Sequence, residues 1–310
     1  MSAKFRTRIA GSAAPAPFNH YESLLEVPSG RDPRQNAWLT INLKVKLNFV
    51  DKKNPGDNTV HQDGKWYAKD ADGYLFPLLT WGDGWRNRFT TLFQRHAEKV
   101  WNYRFLLTTP KTYAGLDYSS PLKRGMIIRP NVLCLFRLNL VSTGADRTID
   151  VVNLDYAPGA VKPADPKSKD KPFDVKKFDA GTFRSDSTHY DDADLFRPYM
   201  WDKDKKIWHD TIGHEIGHAL GQSHILGLKG DKKCAIGTKT GNEARCYGSG
   251  ADSDNIMGAG DRLSPLNAIS WRERIELHSG VKAPHWHVTT ATATPPRVHA
   301  PSHKPGPLVF

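Results

Sequence analysis

His214-Glu215-Ile216-Gly217-His218-Ala219-Leu220-Gly221-Gln222-Ser223-His224 is the stretch from which the rest of the chain is read. His214 and His218 are four residues apart, so on an α-helix both project from one face and can reach a single ion. Glu215 stands beside that face, where a carboxylate can move a proton without itself holding metal. A straight helix cannot aim a third ligand at the same ion six residues later. Gly221 supplies the turn, because glycine enters the left-handed region at no steric cost, and His224 completes the set. The competing reading is a core helix with incidental histidines. From the chain's own residue frequencies, His-Glu-x-x-His arises by chance in roughly a few per cent of such chains, and the longer pattern in about one in ten thousand. The metal reading is therefore preferred. Gly213, Gly217 and Gly221 fall on one small face of the same helix, which permits close backbone packing behind the site; their flanks are too polar for a membrane helix.

These residues resemble the metzincin clan of zinc endopeptidases, whose signature is His-Glu-x-x-His-x-x-Gly-x-x-His followed by a methionine-containing turn beneath the metal. Asp254-Asn255-Ile256-Met257-Gly258 is the corresponding candidate turn, and Met257 is one of four methionines in the chain. Next come Ser264 as an N-cap, Pro265 at the first helical position, and Leu266, Ile269, Trp271, Ile275 and Leu277 at roughly helical spacing, ending at Gly280. This is similar to the clan's C-terminal helix. The resemblance covers residues 205–280 and is only architectural before them. It implies an α+β, metzincin-like fold, with a mixed twisted sheet, an active-site helix and a smaller C-terminal subdomain. It further implies Zn²⁺ on His214, His218 and His224, with Glu215 as the catalytic base, Gly221 and Met257 as structural support, and a protein or peptide substrate. Three neutral imidazoles would leave the metal its charge and one open position. The chain departs from some relatives: Ala259 stands where a transition-state tyrosine would be, Ile225 follows the third histidine, and residues 1–133 contain no cysteine to silence the metal from a pro-segment.

Upstream, Leu39, Ile41, Leu43, Val45, Leu47 and Phe49 alternate with polar residues, which predicts a long strand with one buried face. Trp85, Phe89, Leu92, Phe93, Val100 and Trp101 form an apolar helical stripe, with the tryptophans read as core rather than ligand-binding. Residues 131–141 and 148–154 read as two further strands. The expected organisation is a flexible lead-in over 1–36, a catalytic domain over 37–280 divided at 224/225, and a flexible Pro/Thr/His-rich tail over 281–310. The tail's His285, His287, His299 and His303 are read as part of that flexible segment rather than as ligands.

With 310 residues, 38% hydrophobic, the chain can bury a sizeable core. No apolar run reaches the length of a membrane span. The basic N-terminus is not followed by an apolar run of signal-peptide length, so the expectation is either an internal protein, one exported by a leaderless route, or one whose leader has been trimmed. The net charge of +11 raises the prospect of an acidic partner. However, Lys162, Lys167, Lys169, Lys171, Lys176 and Lys177 interleave with Asp165, Asp170, Asp174 and Asp179. That reads as a solvated loop, so no specific nucleic acid is expected, and a monomer is.

Asp186, His189, Asp191, Asp192 and Asp194 could hold a structural calcium or a second zinc; their irregular spacing favours a solvated acidic loop. Asp252, Asp254 and Asn255 raise a weaker calcium question, answered in favour of a plain turn. His209 is read as a surface or supporting histidine. Cys134 sits in an apolar strand pattern and reads as a buried small hydrophobe. Cys234 and Cys246 bracket a polar loop; paired, they would stabilise the fold by about 3 kcal/mol. Three rival functions remain open: a zinc hydrolase of a non-peptide amide or ester, a non-catalytic zinc-bearing binding module, and a basic nucleic-acid binder. Retention of Glu215 argues against the second, because a structural site has no need of it.

Overall fold

The architecture is built on β3 (Ala37–Val50), the longest strand. Its side chains alternate inward and outward as the sequence predicts over Ala37–Val45, with Leu39, Ile41, Leu43 and Val45 buried, while Leu47 and Phe49 are only partly buried. In this computed structural model, residues 3–9, 20–28, 36–70, 74–119, 124–155, 185–195, 199–202, 205–222, 224, 254–258 and 260–290 are described. Along one edge β3 pairs in parallel with β10 (Val132–Leu140). The other edge is shared: its first half pairs antiparallel with β2 (Glu22–Pro28) and its second half in parallel with β11 (Arg147–Val152). Beyond β2 lies β1 (Ala3–Ile9), and beyond β11 lies β12 (His189–Asp191). On the far side β10 meets β7 (Phe105–Thr108), which pairs with β15 (His287–Thr290). The result is a curled mixed sheet with few helices, an α+β arrangement.

The small strands lie off this sheet. β4 (Thr59–Gln62), β5 (Lys65–Lys69) and β6 (Leu75–Pro77) form an antiparallel meander. β8 (Tyr118–Ser119) pairs with β9 (Ile127–Ile128), and β13 (Tyr199–Asp202) with β14 (Lys205–Trp208). One apolar core lies between the sheet and three helices, α1 (Asp83–Trp101), α2 (Thr211–Ala219) and α3 (Ile269–Ser279). Helix α1 buries Phe89, Phe93, Ala97 and Trp101; Trp85 is only partly buried. α3 follows a 3-10 turn at Pro265–Ala268 capped by Ser264 and ends at Gly280, whose φ of 71° is left-handed. Its buried face is narrower than the spacing predicts: Trp271 and Ile275 are in the core, while Leu266 and Leu277 face solvent.

Two segments differ from the sequence reading. The stretch taken as a flexible lead-in contains β1 and β2, and Tyr21, Ser23, Leu25 and Val27 are buried. Their alternation is that of a half-buried strand, obscured by a serine at one inward position and by the Pro/Ala run before it. The stretch taken as a flexible tail contains β15, with Trp286 buried at its start. Four residues suffice there because β7 supplies the partner and the core supplies a slot for the indole. Residues 291–310, the lysine-bearing stretch 162–179, Ile225, Cys234, Cys246, Asp252 and Ala259 lie outside the described residues. Cys134 is buried in β10, and burial pushes its thiol well up, as expected of an inert core residue. Among the described residues, no helix is long and apolar enough to cross a membrane.

Candidate metal centre

Helix α2 has nine residues, too few to persist alone, and its surroundings hold it. Asp210 caps it, accepting from the Gly213 amide at 2.7 Å. His96 of α1 contacts both Asp210 oxygens, at 2.9 and 2.7 Å, and that partner helps keep the Asp210 carboxyl below its ordinary range despite burial. Trp101 donates its indole N–H to the Gly213 carbonyl at 2.9 Å. At the other end Gly221 takes φ 87°. The Gln222 amide reaches back to the Gly217 carbonyl and the Gly221 amide to that of His218, a Schellman closure. The terminal Leu220 carbonyl accepts from Ser270 Oγ at 2.7 Å and Tyr21 Oη at 3.2 Å. The left-handed turn read from Gly221 is therefore present, and it brings His224 back onto the helix face.

The three histidines converge. Their Nε2 atoms are 3.0 Å apart for His214 and His224, and 3.1 Å from His218 to each of the others. All are buried. His214 Nδ1 donates to the Ile256 carbonyl at 2.6 Å and His218 Nδ1 to the Gln222 carbonyl at 2.7 Å. A donating Nδ1 in a neutral ring leaves Nε2 as a lone pair, so these lone pairs face one another across about a hydrogen-bond length. Burial, then the neighbouring histidines, hold His214 well below its ordinary pKa, and burial lowers His218. Protons are thus a poor way to relieve the repulsion, and a cation is a good one. Zn–N bonds of about 2.05 Å in a tetrahedron separate nitrogens by about 3.3 Å, within a few tenths of the spacing here. The donor set fits zinc, and among the described residues it is the one group of three or more potential ligands gathered to this distance.

Glu215 is 5% exposed, with Oε1 3.9 Å from His214 Nε2. It stands beside the donor triangle and outside it, the position a proton-transferring carboxylate needs. Met257 is fully buried under α2, where its sulfur and methyl meet the space a side chain at Gly217 would occupy. Ile256 and Val100 crowd Gly213 in the same way, at 2.7 and 3.0 Å. Gly213 and Gly217 thus form the face on which α1 and the 254–258 turn press against α2, whereas Gly221, read with them on that face, is exposed in the left-handed turn beyond the helix.

Several participants were not legible in the sequence. Asn267, fully buried, exchanges hydrogen bonds with Asn255 at 2.9 and 3.1 Å and donates to Gln222 Oε1 at 3.3 Å. Gln222 Nε2 returns to the Asn267 carbonyl at 2.7 Å, and Asn255 Oδ1 accepts from the Met257 amide at 2.9 Å. This amide network locks the methionine turn to the residue whose carbonyl orients His218. His209, read as surface or supporting, is buried with its ring centroid 4.9 Å from that of His214, and burial lowers its pKa to about 4. It is a neutral neighbour of the converging histidines.

The acidic segment 186–194 is used locally. Asp194 Oδ2 accepts from the Asp191 amide at 3.0 Å and Ser185 Oγ at 2.5 Å, and Asp191 Oδ1 accepts from the Asp194 amide at 2.8 Å. His189 lies between Asp186, 3.3 Å from its Nδ1, and Asp150, 3.7 Å from its Nε2. These carboxylates close turns and an ion-paired cluster rather than converging on one point. Asp254 pairs with Arg262 at 2.9 Å.

Comparison of the chain with protein-family models, curated proteins and solved structures finds no match.

Proposed function

We propose that the protein is a zinc-dependent endopeptidase of metzincin type, with His214, His218 and His224 holding the metal and Glu215 acting as the base. The observation that carries this reading is the convergence of the three Nε2 atoms of His214, His218 and His224 at 3.0–3.1 Å beside a buried carboxylate that is not one of them. When bound, zinc supplies Lewis-acid polarisation of a carbonyl and lowers the pKa of a coordinated water to about 7. Glu215 takes the proton of the attacking water and delivers it to the departing amine nitrogen. Burial keeps the His214 and His218 imidazoles neutral, and the bond from Nδ1 of each to a main-chain carbonyl orients them. Met257 and the amide network keep the floor under α2 fixed while the proton moves.

The test is paired. Protein purified without added metal should contain about one zinc per chain and hydrolyse members of a diverse peptide library. Glu215→Ala should keep the zinc and the melting temperature while losing at least about 100-fold in turnover. Equal cleavage by the variant rejects the mechanism. Full zinc loading with no peptide cleaved, but with cleavage of simple amides or esters, moves the assignment to a non-peptide hydrolase.

A further inference from the structure

We propose that the β8–β9 hairpin is an arm that docks the protein on an anionic lipid surface, Met126 and Ile127 entering the acyl boundary while nearby cations meet the headgroups. Among the described residues six large apolar side chains are exposed: Val60, Leu79, Met126, Ile127, Leu266 and Leu277. Single exposed apolar residues are ordinary on a protein surface. Met126 and Ile127 are the two that adjoin in the chain, 46% and 59% exposed. They follow a turn at Arg124 and Gly125, where Gly125 takes φ 77°. The root of the arm is fixed. Leu116, Tyr118 and Ile128 are buried in the main core. Arg129 donates to both oxygens of Asp117 at 2.7 Å and to the Lys111 carbonyl. Successive residues of a strand face opposite ways, so with Ile128 in the core Ile127 is directed outward.

Charge selects the partner. From residue 110 to 130 the chain carries Lys111, Lys123, Arg124 and Arg129 against a single acid, Asp117. Asp117 is spent on Arg129, so the exposed Lys111 and Arg124 have no carboxylate of this segment to answer them. A second copy of the chain is a poor occupant for such a tip, because it brings another net charge of +11 to the first. A folded acidic protein would need a groove cut to the shape of the arm. An anionic bilayer has the complementary charge without that demand, and the boundary beneath its headgroups takes up apolar side chains wherever they protrude. Lysine and arginine stems can lie along that boundary while their charged ends stay among the phosphates. The net positive charge of the whole chain then draws it to the surface before the tip makes contact.

The experiment sediments the full chain with vesicles of phosphatidylcholine alone and of two parts phosphatidylcholine to one part phosphatidylglycerol. The wild type should bind the mixed vesicles, bind the neutral ones weakly, and lose affinity for the mixed ones as salt is raised. Met126→Ser with Ile127→Ser should lower the partition coefficient at least about tenfold and leave the melting temperature unchanged, since neither side chain is in the core. Leu266→Ser with Leu277→Ser, a pair 53% and 56% exposed elsewhere, should leave the partition coefficient unchanged. Arg124→Glu should weaken binding to the mixed vesicles alone. A wild type that does not sediment with the mixed vesicles overturns the inference, and so does an equal loss in the two serine pairs. Binding that falls in Arg124→Glu but survives Met126→Ser with Ile127→Ser also overturns it, because the contact is then one of charge only. A wild-type dimer that Met126→Ser with Ile127→Ser turns into a monomer does the same, since a second copy then covers the tip.

Discussion

Gly217→Ala isolates the packing beneath the candidate metal centre, because two opposite effects meet at one carbon. In an exposed helix interior the substitution stabilises by about 1 kcal/mol. Here the added Cβ would overlap Met257 Sδ and lie 3.2 Å from Met257 Cε and 3.0 Å from Trp101 Cζ2. The indole cannot retreat freely, since its N–H is bonded to the Gly213 carbonyl and its ring stacks on Trp271 at 6.2 Å. Met257 must move, yet it is fully buried and its amide is bonded to Asn255. Overpacking of this kind costs about 1–3 kcal/mol and sometimes more. Contact with the middle of the side chain rather than its tip puts this case at the upper end, so the net loss should be about 2 kcal/mol. At about 2–4 °C per kcal/mol for a domain of this size, the melting temperature should fall by roughly 4–8 °C. Zinc affinity, measured by competition with a chelator, should weaken because His218 is the next residue on the displaced helix. Shortening the obstacle relieves the clash, so Met257→Ala combined with Gly217→Ala should cost clearly less than the two single losses added. A melting temperature that rises in Gly217→Ala, as helix propensity alone demands, would falsify the packing argument, and strict additivity in the double variant would place the strain elsewhere.

Other outcomes follow from the same geometry. Asn267→Ala should destabilise by about 3 kcal/mol, read by urea unfolding, because it strands the buried Asn255 and Gln222 amides and the Ser264 N–H together; a loss below about 1 kcal/mol would mean the network is not closed in solution. Chelation of zinc should lower the melting temperature, and His218→Ala, which removes one ligand and leaves the other two, should abolish the zinc-dependent part of that shift. The His189 cluster should make segment 186–194 pH-sensitive. Asp186 and Asp150 together raise the His189 pKa above its ordinary value against the cost of burial, so its contribution is full below about pH 6.5 and lost as pH rises through the folded value. Asp186 is lowered to about 2, so its share is present above about pH 3.9 and lost as pH falls towards 2. Amide exchange of 186–194, corrected for intrinsic rates, should be slowest between those limits, and His189→Gln should remove the alkaline limb; a flat profile in the wild type would count against the cluster.

What could be read from the sequence divides along a physical line. Periodic features were legible: β3 announces itself by alternation, α1 by its apolar stripe, and the converging histidines by a four-residue spacing followed by glycine. Each is a local pattern imposed by the geometry of one element. What stayed hidden depends on partners far along the chain. β2 has an inward serine, and its strand character is confirmed only by pairing with β3. β15 is four residues long and acquires its meaning from β7. Tyr190 lies in a segment whose aspartates suggest a solvated loop, yet β11 recruits it into the sheet and the core closes over it. The amides of Gln222, Asn255 and Asn267 carry no period at all, and nothing short of the folded arrangement joins them.

The same division explains why the ligand motif alone is an incomplete account of the site. His214 and His218 would share a face on any helix, but nine residues do not make a stable one. The helix is fixed by Asp210 and Trp101 at its start, and by Tyr21, Ser270 and the Gly221 turn at its end. Those anchors come from a residue before the first-half partner of β3, from α1 and from α3, so the pieces that the sequence reading set apart as lead-in and C-terminal subdomain meet at the Leu220 carbonyl. Loss of the anchoring at that carbonyl, for example in Tyr21→Phe with Ser270→Ala, should therefore reach the histidine triangle through the Gln222 carbonyl on His218 without touching any of the three histidines. The convergence of the three histidines is a property of the assembled core, and the motif specifies only which atoms the core must bring together.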